Sequence, residues 1–187
     1  MTFDLSLSSS KRNTSKTQVI KERKKEMIPI ILCLCALICS FIHLVVKKEW
    51  NKKVEIILSY LIFFNIGIMG LLGFYAHTAI SYETATLIGW PPGNPFQQEV
   101  AAANLAFGIL GIMAFSYRST FWLATIIGQC IFLLGALVVH IVDYLQRGNT
   151  APENFGLFVW TDDLVMPLIY LALLYYYMRE YPHKESV

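Results

Sequence analysis

The chain has 187 residues, of which 56% are hydrophobic and only 15% charged, with a formal net charge of +2 and a mean hydropathy of +0.51. That balance excludes an ordinary soluble domain and gives no basic patch of the kind that binds nucleic acid. It predicts a chain whose solvent is the lipid bilayer and an all-α fold, an integral membrane bundle of about five transmembrane helices.

Residues 1–26, MTFDLSLSSSKRNTSKTQVIKERKKE, are rich in Ser, Thr and Lys and too poor in apolar residues to build a core, so they read as a disordered basic tail. The bundle then occupies residues 27–180. A spanning helix needs roughly 20 mostly apolar residues, and stretches at about 27–46, 54–77, 95–117, 119–144 and 162–180 qualify or nearly do; residues 181–187 form a C-terminal tail. The first span contains Cys33, Cys35 and Cys39, and Cys130 lies in the fourth. All four read as small apolar residues packed in helices, without a CxxC pair. The first span also lacks a small-x-small cleavage site and reads as a retained helix.

The long connections are 78–94 and 145–161. Loop one carries Lys47, Lys48, Lys52 and Lys53, loop three Arg118, and the C-terminal tail Arg179 and Lys184, whereas loop two carries no Lys or Arg and loop four only Arg147. Because Lys and Arg favour the cytoplasmic side, loops 78–94 and 145–161 are expected to be extracytoplasmic, in a multi-pass protein of the cell membrane. With five spans this also places the basic N-terminal tail outside, a conflict resolved if Met27 is the natural start or, alternatively, if the tail stays inside and the loop-one lysines snorkel.

In loop two, Pro92-Gly93 suits a type II turn, with Gly at the position of positive φ. Asn94 is placed to cap the third span, Pro95 to occupy its first position, and Gln97 to reach back as in a capping box. Trp50, Trp90, Phe96, Trp122 and Trp160 fall near helix ends, where aromatic rings sit at the headgroup level. Glu99 does not fit a simple interface turn. It lies more than a turn inside the third span, where a carboxylate is expected to face protein or water.

Asn104, Gly108 and Gly111 share one face of that span, a pattern that lets another backbone approach while the amide bonds across. Gly67, Gly70, Gly73 and His77 form a similar small-residue flank on the second span. On the fourth, Gln129, Leu133, Ala136, His140 and Asp143 fall within about 80° at about 100° per residue. Counting crossings puts His77, Glu99, His140, Asp143, Asp162 and Asp163 in one layer near one membrane face. The candidate pocket is therefore His77, Glu99, Asn104, Gln129, His140 and Asp143. His and carboxylates on adjacent helices are also the ligand types of a divalent metal ion, for which His77, Glu99, His140 and Asp163 are the candidates. The bland counterparts are a capped, acidic helix N-terminus at Thr161-Asp162-Asp163 and His side chains satisfied by carbonyls.

Ala76-His77, Glu83, the stretch IGWPPGNPFQQEVAAANLAFGILGI, GALVVHI (residues 135–141) and the Asn149, Asn154-Phe155-Gly156 and Asp163 neighbourhood resemble a family of small, uncharacterised multi-pass membrane proteins of prokaryotes. The resemblance covers about residues 27–180 and is most specific in the GW, PFQ, E and ANL elements. It implies a membrane location and a start near Met27, and no established activity. Two functional classes stay open: a membrane protein whose polar layer binds a metal ion or a small polar ligand, and a non-catalytic scaffold or interaction subunit whose polar residues only tie helices together. The expected partners are the lipid bilayer and a second copy or another membrane protein, with no nucleic acid. Whether the chain is an enzyme is left open by the sequence.

Overall fold

The computed structural model describes residues 26–181, so the expected basic tail, apart from Glu26, and the C-terminal residues 182–187 lie outside the described residues. Helix α1 spans Ile28–Lys47. A 3-10 turn, Trp50–Lys52, leads into one long rod made of α2 (Lys53–Leu61), a π-helical segment Ile62–Ile68 and α3 (Met69–Thr78). Then come α4 (Ser81–Ile88), α5 (Phe96–Met113) and α6 (Thr120–Arg147). Short helices α7 (Pro152–Phe155) and α8 (Leu157–Val159) run into a second π-helical segment, Trp160–Val165, continued by α9 (Met166–Glu180). No strand occurs among the described residues.

Among the described residues, four helical stretches are long and apolar enough to cross a membrane: Ile28–Lys47, Trp50–Thr78, Thr120–Arg147 and Pro152–Glu180. The stretch expected to span at 95–117 is helical as α5 but is not one of these four, because Gln97, Gln98, Glu99 and Asn104 dilute its apolar content. Loop 78–94 contains α4, and most of loop 145–161 is the helical lead-in to the final span.

What holds α5 is backbone contact with the second rod. A Cβ at Gly70 would lie 2.6 Å from the Asn104 carbonyl oxygen and from the Gly108 nitrogen, and one at Gly111 would collide with the Gly67 backbone. The two small-residue faces are thus partners of one another, and their fit replaces the hydrophobic drive that two helices lack in lipid.

The close-packed core lies toward loops one and three. Leu58, Ile62, Ile66, Ile126 and Tyr170 are fully enclosed there. Trp122 joins them and is 0% exposed, which corrects the expectation of a headgroup-level ring. Its indole N–H finds a buried acceptor in the Ala114 carbonyl at 2.6 Å, so the whole ring can enter the core. Tyr177 packs at 5.0 Å between ring centroids, and the Arg118 guanidinium, which also binds buried Glu55, lies 5.5 Å from the Trp122 ring.

Both π segments lie where this core ends. In Ile62–Ile68, buried Asn65 donates from Nδ2 to the Pro29 carbonyl at 2.9 Å, tying the rod to the start of α1. Trp160–Val165 precedes Pro167, which has no N–H to return to the carbonyl four residues back and whose ring crowds it. A widened turn relieves that conflict and changes the facing of the helix on either side of it.

Candidate functional site

Beyond the π segments, toward loops two and four, the bundle is hollow. A cavity of about 650 Å³ lies between α3, α5, α6 and the Trp160–Val165 segment. Although α5 and α6 are consecutive, they pack on each other only sparingly. Phe107 bridges them near the loop-three end through Phe132, at 5.6 Å between centroids. The walls are mainly apolar, and the polar side chains on them include His77, Asn104, Gln129, His140, Asp162 and Asp163.

His77 ends α3, and its Nδ1 lies 2.5 Å from Gln97 Oε1 on α5. Gln97 is buried and spends its side chain on this contact, which corrects its expected role in a capping box. The cap itself is made by Asn94, whose Oδ1 accepts from the Phe96 N–H at 2.9 Å, and the preceding turn has Gly93 at φ 78°, as a type II turn requires. Glu99 is exposed and does not line the cavity, contrary to its expected inward facing. Two residues along an α-helix amount to about 200° of rotation; once Gln97 is turned inward, Glu99 must face out.

Asn104 is on the cavity wall as expected, but its amide N–H returns to the Val100 carbonyl on its own helix at 2.9 Å instead of bonding across. Its side-chain oxygen faces Gly73, where a Cβ would come within 2.5 Å of it.

His140 stacks on Trp90 at 5.8 Å with an interplanar angle of 17°. Its Nδ1 lies 2.8 Å from Asn154 Oδ1. The Asn154 amide donates to the Asn149 carbonyl at 2.9 Å and to the His140 carbonyl at 3.4 Å, so its oxygen is the acceptor for the ring. His140 therefore carries its hydrogen on Nδ1, and in the neutral ring Nε2 is left as an acceptor. That nitrogen lies 3.9 Å from Asp163 Oδ2, beyond hydrogen-bond distance.

Asp143 is buried but does not line the cavity. It accepts from the Trp90 indole N–H at 3.1 Å, from Asn149 Nδ2 at 2.6 Å and from Arg147. Asn149 also donates to the Ile88 carbonyl at 2.8 Å. This hub fastens loop two to loop four, so the fold alone accounts for Asp143.

Asp162 and Asp163 do not cap a helix N-terminus as the bland reading held. The helical lead-in begins before them at Leu157, and the π segment carries both side chains into the interior, 6% and 4% exposed. Asp162 Oδ1 and Gln129 Oε1 have no hydrogen-bond partner among the described residues. Sequence reasoning missed how Gln97, Asn149 and Asn154 are used; the clue was polar residues bunched beside prolines and glycines in both long loops.

The structure brings His77, Asn104, Gln129, His140 and Asp163 to one cavity and leaves Glu99 and Asp143 off it. Among the described residues no group of three His, Cys, Asp or Glu is gathered that could hold a metal ion. The expected set of His77, Glu99, His140 and Asp163 fails because Glu99 is exposed and off the cavity, which leaves no third ligand gathered with the others.

Among known proteins, residues 26–183 match a family described as "Family of unknown function (DUF6790)". No curated protein and no solved structure matches the chain.

Proposed function

The chain belongs to the DUF6790 family of unknown function, and we propose that it is a membrane protein that binds a small organic molecule in the cavity between α3, α5, α6 and the second π segment. The observation that carries this reading is a roomy, mostly apolar cavity lined by Gln129 and Asp162, each with a buried oxygen, Oε1 and Oδ1, that has no partner among the described residues. Apolar walls with a few convergent polar groups are the usual form of a small-molecule site, and about 650 Å³ is within the usual range of about 300–1,000 Å³. Buried polar groups are nearly always paired, and an unpaired one costs about 1–3 kcal/mol that a ligand can recover.

Ala136 lines the cavity from α6 and allows a direct test. Organic extraction of the purified full chain followed by mass spectrometry should yield a bound compound in near-stoichiometric amount. Ala136→Trp, which fills the space, should lose it while keeping its helical circular dichroism. Identical extracts from the two proteins would refute the reading.

The proposed orientation places loops 78–94 and 145–161 outside the cell, on the contrast between Arg147 alone in them and the lysines of loop one. Cysteine at exposed Thr150 should react with an impermeant thiol reagent in intact cells, and cysteine at exposed Lys53 should not. The opposite labelling reverses the orientation.

A further inference from the structure

We infer that the occupant is an organic amine with an apolar body, its ammonium group held at the Gln129, Asp162 and Asp163 end of the cavity. This rests on the binding reading above and adds the chemical class.

The polar end of the cavity is rich in acceptors. Among the described residues Asp162 Oδ1 and Gln129 Oε1 have no partner, and each belongs to a residue 6% exposed. Asp163 adds a second buried carboxyl beside them. The hydrogen-bond pattern of Asn154 leaves His140 Nε2 as an acceptor as well. Asp162 Oδ1 and Gln129 Oε1 therefore call for a ligand that brings hydrogens, while His140, about three turns from Gln129 on α6, offers its acceptor farther along the wall.

Charge points the same way. The acidic side chains on the wall are Glu153, Asp162 and Asp163, and among the described residues no Lys or Arg lines it. His140 Nε2 lies 3.9 Å from Asp163 and is a cation only when protonated; a buried carboxylate without a cation is costly, and an ammonium ion offers both a charge and up to three N–H donors. A bare metal ion fits poorly, since no three ligating side chains converge and the remaining walls are apolar.

The rest of the wall suits the body of such a molecule. Trp90, Phe132 and Phe158 present aromatic surface, which also attracts cations through ring faces. Leu72, Tyr75, Ile131 and Val139 line the cavity yet are exposed on the outside of the bundle. The cavity thus opens sideways, where a spanning bundle would meet lipid, and an amphipathic amine dissolved in the bilayer has direct access.

The test uses the purified full chain in detergent, with 4-phenylbutylamine and its neutral analogue 4-phenylbutan-1-ol as probes, read by calorimetry and by thermal unfolding. The amine should bind the natural protein about tenfold or more tighter than the alcohol, the effect expected of a charge-assisted hydrogen bond. Asp162→Asn should erase that preference while the alcohol still binds, and Ala136→Trp should abolish binding of both. Asp163→Asn and Gln129→Leu, each expected to weaken amine binding selectively, keep the proposal falsifiable if Asp162→Asn does not fold. Equal binding of the two probes to the natural protein would overturn the amine assignment and leave the cavity reading standing. Binding of neither probe, or amine binding unaffected by every carboxyl and amide substitution, overturns the assignment as well, and the first of these also counts against the cavity reading.

Discussion

The same long helices behave differently in the two halves of this bundle. Toward loops one and three, α6 contributes Trp122, Ile126 and Cys130 to a dry, close-packed core; toward loops two and four it contributes Gln129, Leu133, Ala136 and His140 to a cavity. The final span divides likewise, with Tyr170, Leu174 and Tyr177 in the core and Phe158, Asp162 and Asp163 at the hollow. Stability is therefore concentrated where side chains interlock. In the other half, the Gly seam draws α5 against α3 and the Asp143 hub ties loop two to loop four, which leaves α5 and α6 apart. The comparison teaches that an apolar helix carries no label saying whether its neighbours close around it.

The largest effect should come from the dry half. Trp122→Ala removes a fully enclosed ring and the bond to the Ala114 carbonyl, and is expected to destabilise by about 3–5 kcal/mol in reversible detergent unfolding. A cost below about 1 kcal/mol would mean that this half is not close-packed.

Next comes the seam that lets α5 stand against the second rod. Gly70→Val places branched carbons where even a Cβ would meet backbone at 2.6 Å, so a loss of about 3 kcal/mol is expected, with α5 displaced. Normal stability would show that the two helices can separate without penalty.

Breaking the hub should cost less and act locally. Asp143→Ala leaves the Trp90 indole without its acceptor and the Asn149 amide with only the Ile88 carbonyl, an expected loss of about 2 kcal/mol. Amide exchange should accelerate in α4 and in residues 149–156 and remain slow around Trp122. Uniform acceleration would mean that the two halves open as one unit.

The smallest effect sharpens the contrast from the hollow side. A Cβ added at Gly135 meets nothing within 4 Å, so Gly135→Ala should be neutral or stabilising by under about 1 kcal/mol, through helix propensity alone. Destabilisation of the size expected at Gly70 would argue that the cavity closes.

Much of this was legible from local patterns. Four stretches long and apolar enough to cross a membrane, the turn at Gly93, the Asn94 cap and both small-residue faces follow from composition, φ preferences and helical period. Four of the six residues expected at the pocket line the cavity: His77 and His140, placed by which helix ends are level, and Asn104 and Gln129, placed by the faces of their helices. Glu99 was misjudged because the cost of a carboxylate in lipid says that it must be accommodated, without saying which way its helix is turned. Asp162 and Asp163 were expected in the polar layer, and the competing reading of an acidic helix N-terminus fails because their helix begins earlier than its most apolar stretch.

The sequence by itself determined the all-helical class and the long apolar helices, since these depend on residues near one another along the chain. The rotation of α5 about its axis, the pairing of one glycine face with the other, and the gap between α5 and α6 were decided only by the tertiary structure. Each depends on how rigid side chains from several helices exclude one another. A helix offers its face at the period of its own turn, but whether a neighbouring helix fills it is fixed by bulk that lies elsewhere in the chain, such as Trp122 in one half and the small residues Gly135 and Ala136 in the other.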